Sequence, residues 1–243
     1  MMRFAKKVVV ITGAGQGLGA EYAREFAKEG AQTILLGRTA AKVEAVAQEI
    51  VRDGGLAVAF GCDVSNPEAV STVFQKVLQQ FGQVDVLVNN AAYHQSISVV
   101  ETSLEQWHRH IATNLDGTFY CIKAVLPGMI DRRYGKIINV SSSGAKMFFP
   151  GFGAYAASKG GIVSLTQVLS EEVKEYGINV NAIYLGMTNT EHTRDRFDTD
   201  AAITVPLDQM MQVDEVAKIV MFLASDEAHP IMGAAIDVFG TKP

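Results

Sequence analysis

Short apolar runs rich in β-branched residues alternate along the chain with longer stretches whose apolar positions recur every three or four residues. VVVIT (8–12), QTILLG (32–37), LAVAFGCDV, VDVLVNNA, KIINVSSS, INVNAIYLG and AAIDVFG have the first pattern. Each is short, continuous and bounded by polar or glycine residues, which predicts strands buried on both faces. Between them lie GLGAEYAREFAKEG, AAKVEAVAQEIVRDGG, NPEAVSTVFQKVLQQFG, a long helical region over roughly 103–132, GAYAASKGGIVSLTQVLSEEVKEYG and VDEVAKIVMFLAS. These predict helices. Gly54 and Gly55 stop the second, while Asn66 caps the third with Pro67 at its first position. Regular strand–helix alternation predicts an α/β, doubly wound fold of about seven parallel strands with helices on both faces. One domain over 1–243 is expected, with no linker or repeat. The stretch 187–212 is polar, weakly periodic and long for a connection, so it is expected to be a substrate loop.

Composition narrows the classes. The 243 residues are 48% hydrophobic with a formal charge of −5 and no basic run, so a large core is available and nucleic acid is not an expected partner. Cys62 and Cys121 form no C-x-x-C pair, which suits a reducing compartment. The apolar run Val8–Ile11 is too short for a signal-peptide core, and no stretch is long enough to span a membrane. A cytoplasmic protein with no membrane partner is expected. The five histidines show no metal-ligand spacing.

TGAGQGLG (12–19) follows the first strand and opens the first helix. Backbone N–H groups in such a loop can hold a pyrophosphate, and glycine lets the backbone come close. The spacing is Gly13-x-x-x-Gly17-x-Gly19, with Leu18 where the common dinucleotide fingerprint has its last glycine. Further on, GAYAASKGG places Tyr155 and Lys159 four residues apart, on one face of a helix. Either they are a surface pair, or the ammonium makes the phenol acidic. A free phenol titrates near ~10 and is a sluggish base at neutral pH, and a neighbouring positive charge favours phenolate.

TGAGQGLG, NNAA (89–92), NVSSSGA (139–145) and YAASK (155–159) occur in this order, each on its expected element. Together they resemble the short-chain dehydrogenase/reductase family over essentially the whole chain. The resemblance implies a Rossmann-type fold and hydride transfer between a nicotinamide cofactor and a ketone or secondary alcohol. It implies Tyr155 as proton donor or base, Lys159 as its charged neighbour and holder of the nicotinamide ribose, and Ser142 as hydrogen-bond donor to the substrate oxygen. Asn114, in IATNLDGTF, would support a proton relay through water. Cofactor contacts would come from Gly13, Gly15, Gln16, Gly17, Leu18 and Gly19. Asp63 and Val64 would flank the adenine, Asn90 and Ala91 would follow the fourth strand, and Gly186 and Thr188 the sixth. A silent dinucleotide-sensing protein is the alternative, but its mark would be a broken dyad.

After the second strand stand Gly37, Arg38 and Thr39, with no acid to bond a ribose 2′-hydroxyl. Arg38 offers a planar cationic fork and Thr39 a hydroxyl, which predicts NADP(H) over NAD(H) as cofactor, although Gln16 stands where many NADP-binding relatives carry a second basic residue. The family's Asn-Asn-Ala-Gly is here Asn89-Asn90-Ala91-Ala92, and its Pro-Gly is Leu185-Gly186. Substrate contacts are expected from Ser142, His94, Phe149, Phe152 and Tyr184. The apolar loop MFFPGF favours an apolar or aromatic carbonyl compound. Phe119, Ile162 and Leu165, on helices apolar on more than one side, suggest covered faces, for which the family's usual answer is a homotetramer.

Overall fold

Val9 and Ile11 turn to one side of their strand and Val8 and Val10 to the other, and all four are buried. That two-sided burial explains the unbroken apolar run. The computed structural model describes residues 2–196 and 205–240. Its seven strands are β1 (Val8–Thr12), β2 (Gln32–Gly37), β3 (Leu56–Gly61), β4 (Val86–Asn89), β5 (Gly135–Val140), β6 (Ile178–Leu185) and β7 (Ala235–Val238). All pair in parallel in the order β3-β2-β1-β4-β5-β6-β7. The eight helices of the described residues are α1 (Gly17–Lys28), α2 (Ala40–Arg52), α3 (Pro67–Phe81), α4 (Leu104–His110), α5 (Gly117–Arg132), α6 (Gly153–Val173), α7 (Glu191–Arg196) and α8 (Val213–Ala224). One core layer packs α1, α2 and α8 through Tyr22, Phe26, Val43, Ile50 and Val220. The other packs α3, α5 and α6 through Phe74, Val77, Ile122, Met129 and Leu169.

The chain reverses its direction of travel across the sheet between β1 and β4, which are neighbours although β2 and β3 intervene in sequence. In an open α/β sheet, that reversal leaves a crevice beyond the carboxyl ends of the strands. The predicted caps form. Asn66 Oδ1 accepts from Ala69 N at 2.9 Å ahead of Pro67, and Gly82 ends α3 at φ +77°.

Three regions differ from the sequence reading. The predicted helix over 103–132 is α4 and α5 joined by a π-helical turn, Ile111–Asp116. Ser103 and Gln106 form a reciprocal capping box at its start (2.9 and 3.2 Å), a signature visible as S-x-x-Q. The polar stretch 187–212 contains α7, a 3-10 turn at Leu207–Gln209 and a bridge between Thr188 and Met211. Its residues 197–204 lie outside the described residues. The predicted outward face of α6 is also narrower than expected, because Ile162 is buried and Leu165 packs on the core of its own chain.

Candidate active site

A cleft of about 480 Å³ opens at the carboxyl ends of β1 and β4. Its floor is the glycine loop, with Gly13, Gly15, Gln16, Gly17 and Leu18 exposed to it. Gly13 at φ +66° and Gly17 at φ +54° take a left-handed backbone that favours glycine. Gln16, at the N-cap of α1, makes no side-chain cap bond, and no acid lies in the first turn. The first N–H groups of α1 are therefore left for an anion, the arrangement a pyrophosphate needs. Gly19 does not face the cleft. A Cβ there would lie 2.3 Å from the Gly13 carbonyl oxygen, so this glycine lets α1 pack against the loop.

Opposite the loop stand Arg38, Thr39, Asp63, Val64, Asn90 and Ala91, all on the cleft wall. Asp63 Oδ1 is held by Ser65 N and Oγ at 3.0 and 2.7 Å. Asn90 braces the cleft by donating through Nδ2 to the Thr12 carbonyl at 3.0 Å, while the Thr12 hydroxyl accepts from Asn90 N and Ala91 N. Gly37 is required by packing, since a Cβ would lie 2.7 Å from Val43 Cγ1. Sequence reasoning missed Lys42, which lines the same wall and donates to Gln16 Oε1 at 2.5 Å. Lys42 thus brings a second cation to this wall from the first turn of α2. Thr113, Thr190 and His192 also line the cleft, whereas Gly186 and Thr188 do not. Thr188 is buried and donates to the Gly186 carbonyl at 3.2 Å, and Gly186 packs on Phe239.

Tyr93 lines the cleft and joins it to the predicted catalytic group. Asn114, fully buried on the π-turn, holds its backbone from both sides. Asn114 Oδ1 accepts from Tyr93 N at 2.7 Å, and Nδ2 donates to Tyr93 O and Ser158 Oγ, both at 2.9 Å. His94, next along, packs its ring edge-on at 4.6 Å from Tyr155 and 4.7 Å from Phe152. Phe149 lies 5.3 Å from Phe152. Tyr184 stands apart from this cluster, beneath the Lys146 ammonium, which is ion-paired to Asp237 at 2.7 Å. Phe148 is 99% exposed, so the apolar loop is not simply core.

Ser142 leaves β5 at the start of a 3-10 turn and accepts from Gly144 N at 3.1 Å. Ser141 points the other way, as alternation predicts, and donates to the Lys159 carbonyl at 2.9 Å. Beneath them a buried polar chain ties the sheet to α6. Asn89 donates to Asn139 and Asn139 to Thr166, at 2.8 and 2.9 Å. Lys159 Nζ lies 5.9 Å from the Tyr155 ring centre and donates to the Val140 carbonyl at 2.7 Å. In this state burial outweighs the attraction expected from the sequence. Burial pushes the Tyr155 phenol up, opposed by a hydrogen bond from Ser142, and drives the Lys159 ammonium down to about 7. His110, not singled out in the sequence, is buried 6.4 Å from Tyr155. Among the described residues no group of three His, Cys, Asp or Glu could hold a metal ion, and no helix is long and apolar enough to cross a membrane.

This fold and this grouping define a class. The sequence model of the short chain dehydrogenase family matches residues 7–201. The chain is 37% identical to a meso-2,3-butanediol dehydrogenase of Serratia marcescens, over 98% of this chain and 95% of that one. It is 33% identical to a 3-oxoacyl-[acyl-carrier-protein] reductase of Synechocystis sp., over 99% and 98%. A solved 3-oxoacyl-[acyl-carrier protein] reductase of Brucella melitensis with bound NAD superposes with a TM-score of 0.86 at 31% identity, covering 99% of this chain and 94% of that one. The chain belongs to the short-chain dehydrogenase/reductase family and is an NAD(P)-dependent oxidoreductase of the ketone/alcohol type.

Proposed function

We propose that the protein is a carbonyl reductase acting on an apolar or aromatic ketone, with NADP(H) preferred and NAD(H) tolerated. The observation that carries this reading is the convergence of Ser142, Tyr155 and Lys159 beside a cleft walled by Arg38 and Lys42. The nicotinamide cofactor supplies or accepts the hydride. Tyr155 gives its proton to the carbonyl oxygen, and Ser142 donates a hydrogen bond to the same oxygen as negative charge grows there. A phenol held protonated by burial suits the donor's role in ketone reduction. Lys159 holds the ribose and, when charged, favours loss of the phenol's proton, which the relay that Asn114 supports then replaces. At the far end Arg38, Thr39 and Lys42 take the 2′-phosphate, and Val43 fills the space where an acid would repel it. Rings of His94, Phe149 and Phe152 beside Tyr155, with exposed Phe148 on the same loop, favour a substrate with an apolar or aromatic group. The whole chain would act as one dinucleotide-binding and catalytic domain, assembled as a homotetramer in the cytoplasm, where buried, unpaired Cys62 and Cys121 stay reduced.

The test is a panel of ketones and secondary alcohols followed by nicotinamide absorbance with both cofactors. Aromatic and longer-chain ketones should be preferred over sugars, and kcat/KM should be higher with NADPH. Tyr155→Phe should lose ~10²–10⁴ in kcat while still binding cofactor. Arg38→Ala should cut the NADPH/NADH ratio by about tenfold or more, the scale of one charged hydrogen bond. Near-normal turnover in Tyr155→Phe would remove the proton donor, and a native preference for NADH would remove the phosphate assignment.

A further inference from the structure

We propose that His110 is a positioning residue: accepting from Gln95 N and donating to the Gln106 carbonyl, it fixes the loop that sets His94 against Tyr155. The inference rests on the catalytic reading above and adds a residue the family motifs do not contain. Between β4 and α4 the chain has no regular structure, yet it carries a ring packed edge-on against the catalytic phenol at 4.6 Å, that of His94. His94 lies between two anchored residues. Tyr93 is held by the Asn114 amide, and Gln95 N donates to His110 Nε2 at 3.2 Å. The other ring nitrogen, Nδ1, lies 2.8 Å from the Gln106 carbonyl oxygen.

These two partners leave one arrangement. A carbonyl can only accept, so Nδ1 carries the hydrogen. A backbone N–H can only donate, so Nε2 must be bare. A side chain with no acceptor at this point would remove the Gln95 anchor. From its own helix the Arg109 guanidinium sits over the Tyr93 ring at 4.2 Å, and Tyr93 in turn packs on His110 at 4.7 Å. From α6 come the Tyr155 ring and, beyond it, the Lys159 ammonium. No carboxylate is among the hydrogen-bond or ring partners of His110. Loss of the bond to Gln95 therefore unpins the loop.

The experiment compares the native enzyme with His110→Gln, whose amide offers donor and acceptor, and with His110→Phe, which keeps a ring and loses both bonds. Amide hydrogen exchange over residues 91–100, corrected for the intrinsic pH effect, reads the loop, and ketone reduction reads its consequence. At about pH 8 the Phe variant should exchange faster there and lose roughly tenfold or more in kcat at unchanged cofactor affinity, the scale of a small misplacement of a reacting group. The Gln variant should remain near native. Native exchange over residues 91–100 in the Phe variant would overturn the proposal. If the Phe variant does not fold, His110→Asn, whose shorter amide can reach the Gln106 carbonyl but not Gln95 N, takes its place: faster exchange there supports the proposal and native exchange overturns it. If no ketone is reduced, the catalytic reading fails, and the exchange result still tells whether His110 pins the loop.

Discussion

Lys159 shows how a single residue can be tuned for function at a cost in stability. Its ammonium is 2% exposed, and its single hydrogen-bond partner is the Val140 carbonyl. Burial takes it from 10.5 to about 7, and each pKa unit corresponds to ~1.4 kcal/mol. The unfolded chain holds this proton more tightly than the folded one. Between about 7 and 10.5 unfolding takes up a proton, so stability rises with pH in that window. Below it both states are charged and the full penalty remains. Lys159→Met, similar in length and uncharged, should therefore melt above the native protein at pH 6, with the gap shrinking as pH climbs toward 10. A gap constant with pH would show that Lys159 is not depressed in the folded chain. The dyad was legible in the sequence because its members are one helical turn apart. The environment that opposes their charges was not, because it is built from β5, the following turn and α6. Lys42 escaped for the same reason: it meets Gln16 in space from 26 positions further along the chain.

At the scale of elements, the join between α4 and α5 matters most. Apolar periodicity reads straight through residues 103–132, because a widened turn of six residues hardly disturbs the spacing on either side. Yet this turn places the Asn114 amide where it can clamp Tyr93, and it sets His110 one residue before it. Single π-turns within helices occur often at functional sites. The Thr118 hydroxyl accompanies the distortion by donating to the Asn114 carbonyl at 2.8 Å. Asn114→Ala would strip partners from the Tyr93 N–H and C=O and from Ser158. Each buried polar group left unpaired costs ~1–3 kcal/mol. Urea unfolding of this variant should show a loss of roughly 3 kcal/mol, with a fall in kcat as the Tyr93–Gln95 loop shifts. Unchanged stability would mean that water replaces the amide and the clamp is dispensable. The capping box, the glycine stops and the Asn66-Pro67 start were all readable, because each is settled by residues within one turn of one another.

At the scale of the molecule, alternation of strand and helix predicts a parallel sheet but leaves its strand order open. The crevice comes from β1 lying beside β4, a pairing between residues about 77 apart, such as Ile11 with Val88. What the sheet and its helices leave uncovered bears on assembly. Phe119 on α5 is 44% exposed and borders a groove between α3 and α5 with Phe74, Leu78 and Tyr120. Val168 on α6 is 59% exposed, whereas Ile162 is buried. On these two helices the faces available to a partner are the Phe119 side of α5 and the Val168 side of α6, smaller than the sequence suggested. Helices that present large apolar side chains outward are commonly paired across two-fold axes, and two such axes give a tetramer. Light scattering should give a mass four times the 26.2 kDa of the chain. Phe119→Glu combined with Val168→Glu should give a smaller species with native circular dichroism, because neither side chain belongs to the buried core. A native protein that is monomeric at micromolar concentration would sink the tetramer, and a double variant that stays tetrameric would place the interface elsewhere on the surface.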